Sequence, residues 1–387
     1  MAQLSKGANR IYGEAAFEVL AKAQELERQG KNILHFEIGE PDIETPKNIA
    51  DAGIKAIQKK KTHYLPPAGL LELRTAIQDE IEKTRGYRPD LEQVVITPGL
   101  KPGIFFSMLA TVNPSDEVIY QDPGYPTYGS VTSYLGATQI PIPLLEENEF
   151  RMNPDDIKKR ITEKTKLIII NSPQNPTGSV MTKNELDEIA ELAEEHDIFI
   201  VSDEIYSKMT YDDTKHYTPT ARDEAKERTI LLDGFSKYYA MTGWRLGYII
   251  APPEMAERLQ DFLVSAFSCT AAFTQWAGIE ALTGDQRFIT EMMTRFTKKR
   301  NAIVNGLNSI PGFHCLSPKG AFYTCPNIKE TGMNSQECAN HLLYKAGVAA
   351  LPGTAFGPYG EGYLRFSYAT SLENIDEAIK RITKSLK

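Results

Sequence analysis

Residues 166–178 have the sequence KLIIINSPQNPTG, in which an apolar run is followed at once by a turn rich in Pro, Asn and Gly. A helical pattern then covers residues 183–197, with Thr182 as its expected cap, and a second apolar run covers residues 198–203. Two apolar runs joined through a helix are typical of parallel strands in one sheet. This segment therefore predicts a strand, a crossover helix and a second strand.

Outward from this segment, similar short runs occur at residues 93–97, 117–121, 229–233 and 246–251. They lack strict polar alternation, which favours a largely parallel sheet covered on both faces. From about residue 285 the pattern changes to a long charged helix (288–307), short strands (321–325, 348–351, 363–368) and helices near 335–346 and from Leu372. We therefore expect an α/β fold with an N-terminal arm and part of a small domain (1–45), a large domain (46–284) and an α+β small domain (285–387).

Composition and charge exclude several classes of protein. Among 387 residues, Lys and Arg number 43 against 51 Asp and Glu, giving a net charge of −8 without a basic block, which argues against nucleic acid as a partner. The apolar runs are too short to cross a bilayer, and the first residues lack the apolar core of a secretory signal. We expect a cytoplasmic protein with no membrane partner.

Metal and nucleotide motifs are missing from the sequence. The four cysteines form no C-x-x-C pair, and no two of the six histidines lie three or four residues apart, so no metal is expected. The glycine-rich phosphate and dinucleotide motifs and the G-x-S-x-G nucleophile motif are also absent. The chemistry has to come from another set of residues.

Ligands of open parallel sheets bind at the carboxyl ends of the strands, and five such ends carry unusual residues. They are Asp203, Lys237, the turn that holds Asn175, the strand-to-helix turn Gly99–Lys101, and Tyr125. Each has a structural alternative when taken alone: a helix cap, a surface lysine, a rigid turn, an ordinary helix start and a packed ring.

Together these residues match one ligand. Lys237 lies among small and aromatic neighbours that favour its unprotonated, nucleophilic form, and Arg245 follows beside glycines, as suits a phosphate. A free helix start, an aromatic ring and a carboxylate complete the needs of pyridoxal 5′-phosphate (PLP), which has a phosphate, a ring, a ring nitrogen and a carbonyl. The residues therefore predict a PLP site.

The sequence also resembles the class I aminotransferases of the fold-type-I PLP superfamily, in the branch of bacterial and archaeal aspartate aminotransferases. The resemblance extends over nearly the whole chain, and its motifs occur in order: IGEPD (38–42), YLPPAG (64–69), NSPQNPTG (171–178), SDEIY (202–206), FSKYYAMTGWRLGY (235–248), LPGTAFG (351–357) and YLRFSYATS (363–371).

The resemblance implies a large PLP-binding domain, with a mostly parallel seven-stranded sheet between helices, and a smaller α+β domain. It implies that Lys237 holds PLP as a Schiff base and moves the proton, and that Asp203 keeps the ring nitrogen protonated. Tyr206 and Asn175 are expected to hydrogen-bond the 3′-oxygen. These residues form the catalytic set that the family pattern implies.

The remaining binding residues follow from the same resemblance. Arg365 is expected to bind the substrate α-carboxylate as a bidentate fork, aided by Asn175 and the Gly39 backbone. The phosphate and ring are expected to be held by Gly99, Leu100, Lys101, Tyr125, Arg245 and, from a neighbouring subunit, Tyr64. A homodimer is therefore expected.

Two positions depart from the family pattern. Gly234 stands three residues before the lysine, where relatives often have Ser, and Leu100 stands where many have a smaller residue, with Pro102 shortly after it. Fewer phosphate contacts and a looser cofactor are the expected consequences.

The resemblance implies ping-pong transamination between an amino acid and a 2-oxo acid. In the aspartate branch, a lysine at the position of Lys101 can meet a distal carboxylate, which favours aspartate or glutamate with 2-oxoglutarate or oxaloacetate. The alternative for Lys101 is a side chain that points to solvent. Aromatic, kynurenine-type or prephenate transamination stays open, and so does a PLP lyase of the same fold. A non-catalytic PLP-binding regulator is disfavoured, because such proteins usually append a basic DNA-binding segment.

Overall fold

The computed structural model describes residues 3–387. Its strands are β1 (Leu34–His35), β2 (Val94–Thr97), β3 (Glu117–Asp122), β4 (Thr138–Pro143), β5 (Thr165–Asn171), β6 (Phe199–Asp203), β7 (Thr229–Gly234), β8 (Gly247–Ile250), β9 (Tyr323–Thr324), β10 (Val348–Ala349), β11 (Leu351–Pro352) and β12 (Leu364–Ser367). Its α-helices are α1 (Ala15–Arg28), α2 (Lys47–Gln58), α3 (Leu71–Arg85), α4 (Leu100–Thr111), α5 (Pro126–Leu135), α6 (Pro154–Lys158), α7 (Lys183–Glu195), α8 (Asp223–Lys226), α9 (Pro253–Phe267), α10 (Ala272–Thr283), α11 (Arg287–Asn308), α12 (Ser335–His341) and α13 (Leu372–Ser385).

Seven strands form the central sheet, in the order β2-β8-β7-β6-β5-β3-β4. Strand β8 is antiparallel to both of its neighbours, and every other pairing is parallel. Successive residues of β5 belong to two different apolar cores: Leu167 and Ile169 to one, Ile168 and Ile170 to the other. Both faces of the sheet are therefore buried, and the predicted α/β fold is confirmed.

The crossover helix α7 begins as its sequence predicts. The Thr182 hydroxyl accepts a hydrogen bond from the Glu185 backbone N–H, and the Glu185 carboxylate accepts one from the Thr182 N–H. Apolar residues at helical spacing, such as Leu186 and Ile189, are buried against the sheet. The helix ends at Glu195, two residues before the end expected from the sequence.

The edge strand β4 is missing from the pattern-based prediction of individual strands. Its sequence TQIPIP contains Pro141 and Pro143, and it pairs with β3 alone. Proline lacks the N–H that a central strand needs, so it is tolerated only at the edge of a sheet. Because proline also has a low strand propensity, the sequence of β4 does not indicate a strand.

The C-terminal elements differ in detail from the expected ones. The helix expected over 335–346 is α-helical only to His341 and continues as a π-helical turn over Leu342–Ala346. The run 348–351 divides into β10, which pairs with β1, and β11, which pairs with β12. The strand expected over 321–325 shortens to β9. Through β1 the N-terminal segment joins this region. Within residues 3–387, none of the helices has the length and apolar character needed to span a membrane.

Candidate active site

The carboxyl ends of β5, β6 and β7 meet at one pocket of about 310 Å³, to which α1, α4 and β12 also contribute. The pocket brings together most of the residues singled out in the sequence: Gly39, Leu100, Lys101, Tyr125, Asn175, Asp203, Tyr206, Lys237, Arg245 and Arg365. Of the remaining two, Gly99 packs against the guanidinium of Arg245, and Tyr64 lies outside the pocket.

Lys237 lies three residues after β7 ends, with its amine inside the pocket. Its Nζ donates a hydrogen bond to the Gly39 carbonyl oxygen at 2.6 Å and lies 6.0 and 5.8 Å from the ring centres of Tyr206 and Phe322. Burial lowers the pKa of Lys237 to about 8, against the opposing charge of Glu40. The amine therefore loses its proton far more readily than an ordinary lysine, as a nucleophile requires.

Asp203 is a buried carboxylate at the end of β6. Its Oδ2 accepts a hydrogen bond from the Tyr128 hydroxyl at 2.7 Å, and its Oδ1 accepts one from the Ile205 N–H at 3.3 Å. Burial raises the pKa of Asp203 to about 6, and these two hydrogen bonds oppose the rise. A turn follows Asp203 rather than a helix, so its carboxylate caps no helix and remains in the pocket.

Tyr206 and Asn175 line the same pocket as Asp203 and Lys237. The Tyr206 hydroxyl lies 2.8 Å from the hydroxyl of Tyr323, and burial raises the pKa of Tyr206 well above 10, so this hydroxyl keeps its proton at neutral pH. The Asn175 side-chain oxygen is buried and has no hydrogen-bond partner in the described part of the chain. Buried polar atoms are nearly always paired, so this side chain is suited to contact a ligand.

Gly99 and Arg245 form the end of the pocket that suits a phosphate. Gly99 has a φ of +85° and directly precedes α4, whose first N–H groups have no partner within the helix. A Cβ at Gly99 would come within 2.2 Å of Arg245 Nη2 and would displace the guanidinium, and the positive φ itself favours glycine here. The Arg245 Nη1 donates to the Thr242 carbonyl at 2.7 Å. A helix start beside a guanidinium is a strong anion site.

Arg365 is buried on β12. Its Nη2 donates to the Glu37 carbonyl oxygen, and its guanidinium carbon lies 4.8 Å from the ring centre of Tyr323 and 5.2 Å from that of Phe356. Its Nε is buried without a hydrogen-bond partner in the described part of the chain. Burial lowers the pKa of Arg365 below its usual value. A guanidinium that is fixed in place and still has a free N–H donor is suited to bind a carboxylate.

Lys101 has a partner within the chain that the sequence did not indicate. It is partly exposed at the rim of the pocket, and its Nζ forms an ion pair with Glu14. The ring centres of Phe17 and Tyr125 lie 6.0 and 5.7 Å from the ammonium group. No local sequence pattern indicates this partner, because Glu14 lies 87 residues away along the chain.

Tyr64 is outside this pocket and 86% exposed.

Gly234 lies where β7 and β8 approach closely: a Cβ there would lie 3.0 Å from the Gly247 Cα and 3.1 Å from the Leu246 carbonyl oxygen. Serine at this position would therefore press on the neighbouring backbone, which is a packing reason for the departure from the family pattern.

The residues in the pocket fit PLP. A deprotonatable lysine, a buried carboxylate, the Tyr206 hydroxyl with the Asn175 amide, and a helix start beside an arginine match the carbonyl, the ring nitrogen, the 3′-oxygen and the phosphate. The described residues hold no cluster of His, Cys, Asp or Glu arranged to bind a metal ion.

Three residues that contact the site were not predicted from the sequence: Tyr128, Tyr323 and Glu14. Tyr128 could have been found, because it follows Tyr125 by three residues at the start of a helix, and their ring centres lie 5.7 Å apart. Tyr323 and Glu14 carry no comparable signal, since they reach the pocket from distant parts of the chain.

The fold and this pocket define a fold-type-I PLP enzyme. A sequence model of the family described as aminotransferase class I and II matches residues 31–382. The aspartate aminotransferase of Pyrococcus abyssi is 41% identical over 92% of each chain, and aromatic-amino-acid aminotransferase 2 of Thermococcus litoralis is 39% identical over 95% of each chain. The structure of Thermus thermophilus aspartate aminotransferase with maleate covers 100% of each chain with a TM-score of 0.95 and 34% identity.

The chain therefore belongs to the class I and II aminotransferases. It is a PLP-dependent transaminase of the aspartate aminotransferase branch, as the motifs predicted.

Proposed function

We propose that this aminotransferase moves the amino group of an acidic amino acid, aspartate or glutamate, to 2-oxoglutarate or oxaloacetate. The observation that carries this proposal is that two cationic side chains, Arg365 and Lys101, line the same pocket as Lys237. A dicarboxylic amino acid has two anionic groups, and the two cations offer one partner to each. The names of the Pyrococcus and Thermus relatives support the same substrate class.

In the proposed mechanism, Lys237 does the covalent and proton-transfer work. When bound, PLP supplies an electron sink for the bond that breaks at the substrate Cα. The lowered pKa of Lys237 makes its neutral amine available to hold the cofactor, and the same amine would take the proton from the substrate Cα. The Gly39 carbonyl, which accepts the Nζ hydrogen bond, orients this amine.

Asp203, Tyr206 and Asn175 are proposed to hold the ring. The Asp203 carboxylate is anionic at neutral pH and would keep a proton on the ring nitrogen, while the Tyr128 hydroxyl fixes the carboxylate in place. Tyr206 and Asn175 would hydrogen-bond the 3′-oxygen. Tyr125 would pack against the ring face.

Binding of the anionic groups is proposed to divide between the two ends of the pocket. The phosphate would take the first N–H groups of α4, from Leu100 and Lys101, together with Arg245. The Gly99 N–H already donates to the Thr97 carbonyl oxygen at 2.8 Å, so Gly99 would contribute by letting the backbone approach the phosphate closely. The substrate α-carboxylate would take the fork of Arg365, with Asn175 and the Gly39 backbone beside it.

We also propose a homodimer in which the partner's copy of Tyr64 completes the phosphate site. A groove of about 1020 Å³ adjoins the pocket at Glu40, Thr242 and Arg245, and could receive such a segment. Large apolar side chains exposed on the chain also support association: Leu4, Ile11, Phe17, Val264 and Phe267. Activity that falls on dilution, in step with the dimer fraction measured by sedimentation, would support this; a fully active monomer would contradict it.

The three-part division at residues 45/46 and 284/285 stays a proposal, in which β1 belongs with the C-terminal elements because it pairs with β10.

A cytoplasmic location is proposed too. Its support is that all four cysteines are free, as is typical of a reducing compartment.

A second candidate is transamination of aromatic amino acids or prephenate. The pocket also has apolar lining residues, among them Phe17, Ile38 and Ile104, and the Thermococcus relative is named for aromatic substrates. These residues would accept a ring where a second carboxylate is absent.

Absorption spectroscopy of the purified protein tests the proposal. Glutamate or aspartate should bleach the visible PLP band, and 2-oxoglutarate should restore it. A band that bleaches only with phenylalanine or tyrosine, or that prephenate restores where 2-oxoglutarate does not, would replace the acidic substrate by the second candidate. A band that no amino acid bleaches would contradict transamination.

A further inference from the structure

An ion pair stands at the rim of the pocket, at the end formed by α1 and α4. Glu14 Oε1 accepts a hydrogen bond from the Tyr125 hydroxyl at 2.9 Å, and the same oxygen pairs with Lys101 Nζ. Both charged side chains line the pocket. The cation that the proposed function assigns to a distal carboxylate therefore already has an anionic partner supplied by the chain.

The local backbone explains why Glu14 faces the pocket. Glu14 directly precedes α1 in an extended conformation (φ −95°, ψ 127°), and its side chain makes no capping hydrogen bond to that helix. The carboxylate is thus free to turn toward Lys101. The first turn of α1 also lines the pocket, through Ala15, Ala16 and Phe17.

Lys101 needs such a partner where it stands. It is the second residue of α4, and the positive end of a helix disfavours a nearby cation. Glu14 offsets this repulsion. The pair presents almost no net charge to a substrate side chain, with the rings of Tyr125 and Phe17 beside it.

We propose that Glu14 is a specificity-determining residue that cancels the charge of Lys101 and so opens this end of the pocket to uncharged side chains, aromatic ones above all. This inference rests on the proposed function. An acidic substrate has to draw Lys101 away from Glu14 and meets repulsion from the Glu14 carboxylate, whereas an aromatic side chain meets a neutral pair between rings. Glu14 therefore broadens the substrate range and lowers the preference for acidic amino acids.

The first test measures kcat/KM for glutamate and for phenylalanine with a common oxo acid in the holoenzyme and in Glu14→Gln. Glutamine keeps the size of the side chain and removes its charge, so the glutamate-to-phenylalanine ratio should rise about tenfold. Glu18→Gln is the matched control, because Glu18 is exposed on the same helix and lies outside the pocket; its ratio should stay unchanged. A Glu14→Gln ratio that is unchanged or falls would overturn the role of Glu14.

The second test asks whether Glu14 acts through Lys101. Adding Lys101→Met to Glu14→Gln should return the ratio to within about twofold of that of the unaltered protein, because both charges are then absent. A ratio that stays raised about tenfold in the double variant would overturn the proposed coupling.

Bleaching of the PLP band separates this inference from the function it rests on. If no amino acid bleaches the band in any variant, both fail. If amino acids bleach it but the ratio is the same in Glu14→Gln as in the unaltered protein, only the role of Glu14 fails.

Discussion

The two ends of the pocket are built in different ways. At the inner end, Asp203 is the last residue of β6 and accepts a hydrogen bond from the buried Tyr128. Lys237 follows the end of β7 by three residues and donates to the Gly39 carbonyl oxygen. At the outer end, Lys101 and Glu14 come from the starts of two helices, and Lys101 is partly exposed to solvent. The inner groups have strongly shifted pKa values, whereas the outer pair is held by its own ion pair and one tyrosine hydroxyl.

This difference separates the reaction from the choice of substrate. In the proposed function, the inner groups act on the cofactor and the α-carbon, which all amino acid substrates share, and burial shifts their pKa values. The outer groups are proposed to meet the part of the substrate that varies. Changes at the inner end should therefore reduce turnover of every amino acid alike, and changes at the outer end should alter the ratio between substrates.

The largest effect is expected from Lys237→Ala. Removal of the amine eliminates both the covalent attachment and the proton carrier, so turnover should fall by about 10⁴-fold or more for every substrate. Product formation by the purified variant is the measurement. Lys22→Ala, an exposed change on α1, serves as control. Retention of more than about one hundredth of the activity would remove Lys237 from the mechanism.

Asp203→Asn should cost about 10³-fold in kcat, because a neutral amide cannot hold a proton on the ring nitrogen. Tyr128→Phe is its partner variant: it removes the hydrogen bond to the carboxylate but keeps the charge, and should cost less than about tenfold. Stopped-flow absorption of the first half-reaction separates the two. Similar losses in both variants would assign the role of Asp203 to packing rather than charge.

Arg365→Lys should lower kcat/KM by about 10²-fold, equally for acidic and aromatic amino acids, because a lysine cannot form the bidentate fork to the shared α-carboxylate. Initial rates over a range of amino acid concentrations give this number. A loss confined to acidic substrates would mean that Arg365 binds the variable side chain of the substrate and not the shared α-carboxylate.

The smallest effect concerns pH. Because burial lowers the pKa of Lys237 to about 8, the neutral amine fraction rises as pH increases and is nearly complete one unit above that value. The rate at which the apo-protein captures PLP should therefore rise about tenfold from pH 7 to pH 9 and then level off. Absorption in amine-free buffers measures it. A rate that keeps rising towards the ordinary lysine pKa would mean that burial leaves this amine unperturbed.

Much of the fold could be predicted because its signals are local. The apolar runs of β5 and β6 and the capping box of Thr182 each need only neighbouring residues. The edge strand β4 could not be predicted, because its two prolines are unfavourable in strands. The division between β10 and β11 depends on pairing partners in other parts of the chain. Local pattern fails where pairing with a distant segment decides the structure.

The sequence by itself determined the class of chemistry, since Asp203, Lys237 and the Gly99 turn follow recognisable strands and the parallel sheet gathers strand ends at one edge. Only the tertiary structure decided which groups surround them. Tyr323 reaches Tyr206 across 117 residues, and Glu14 reaches Lys101 across 87. Such contacts, and the burial that shifts the pKa values, exist only once the chain has folded, because they join segments that no local pattern connects.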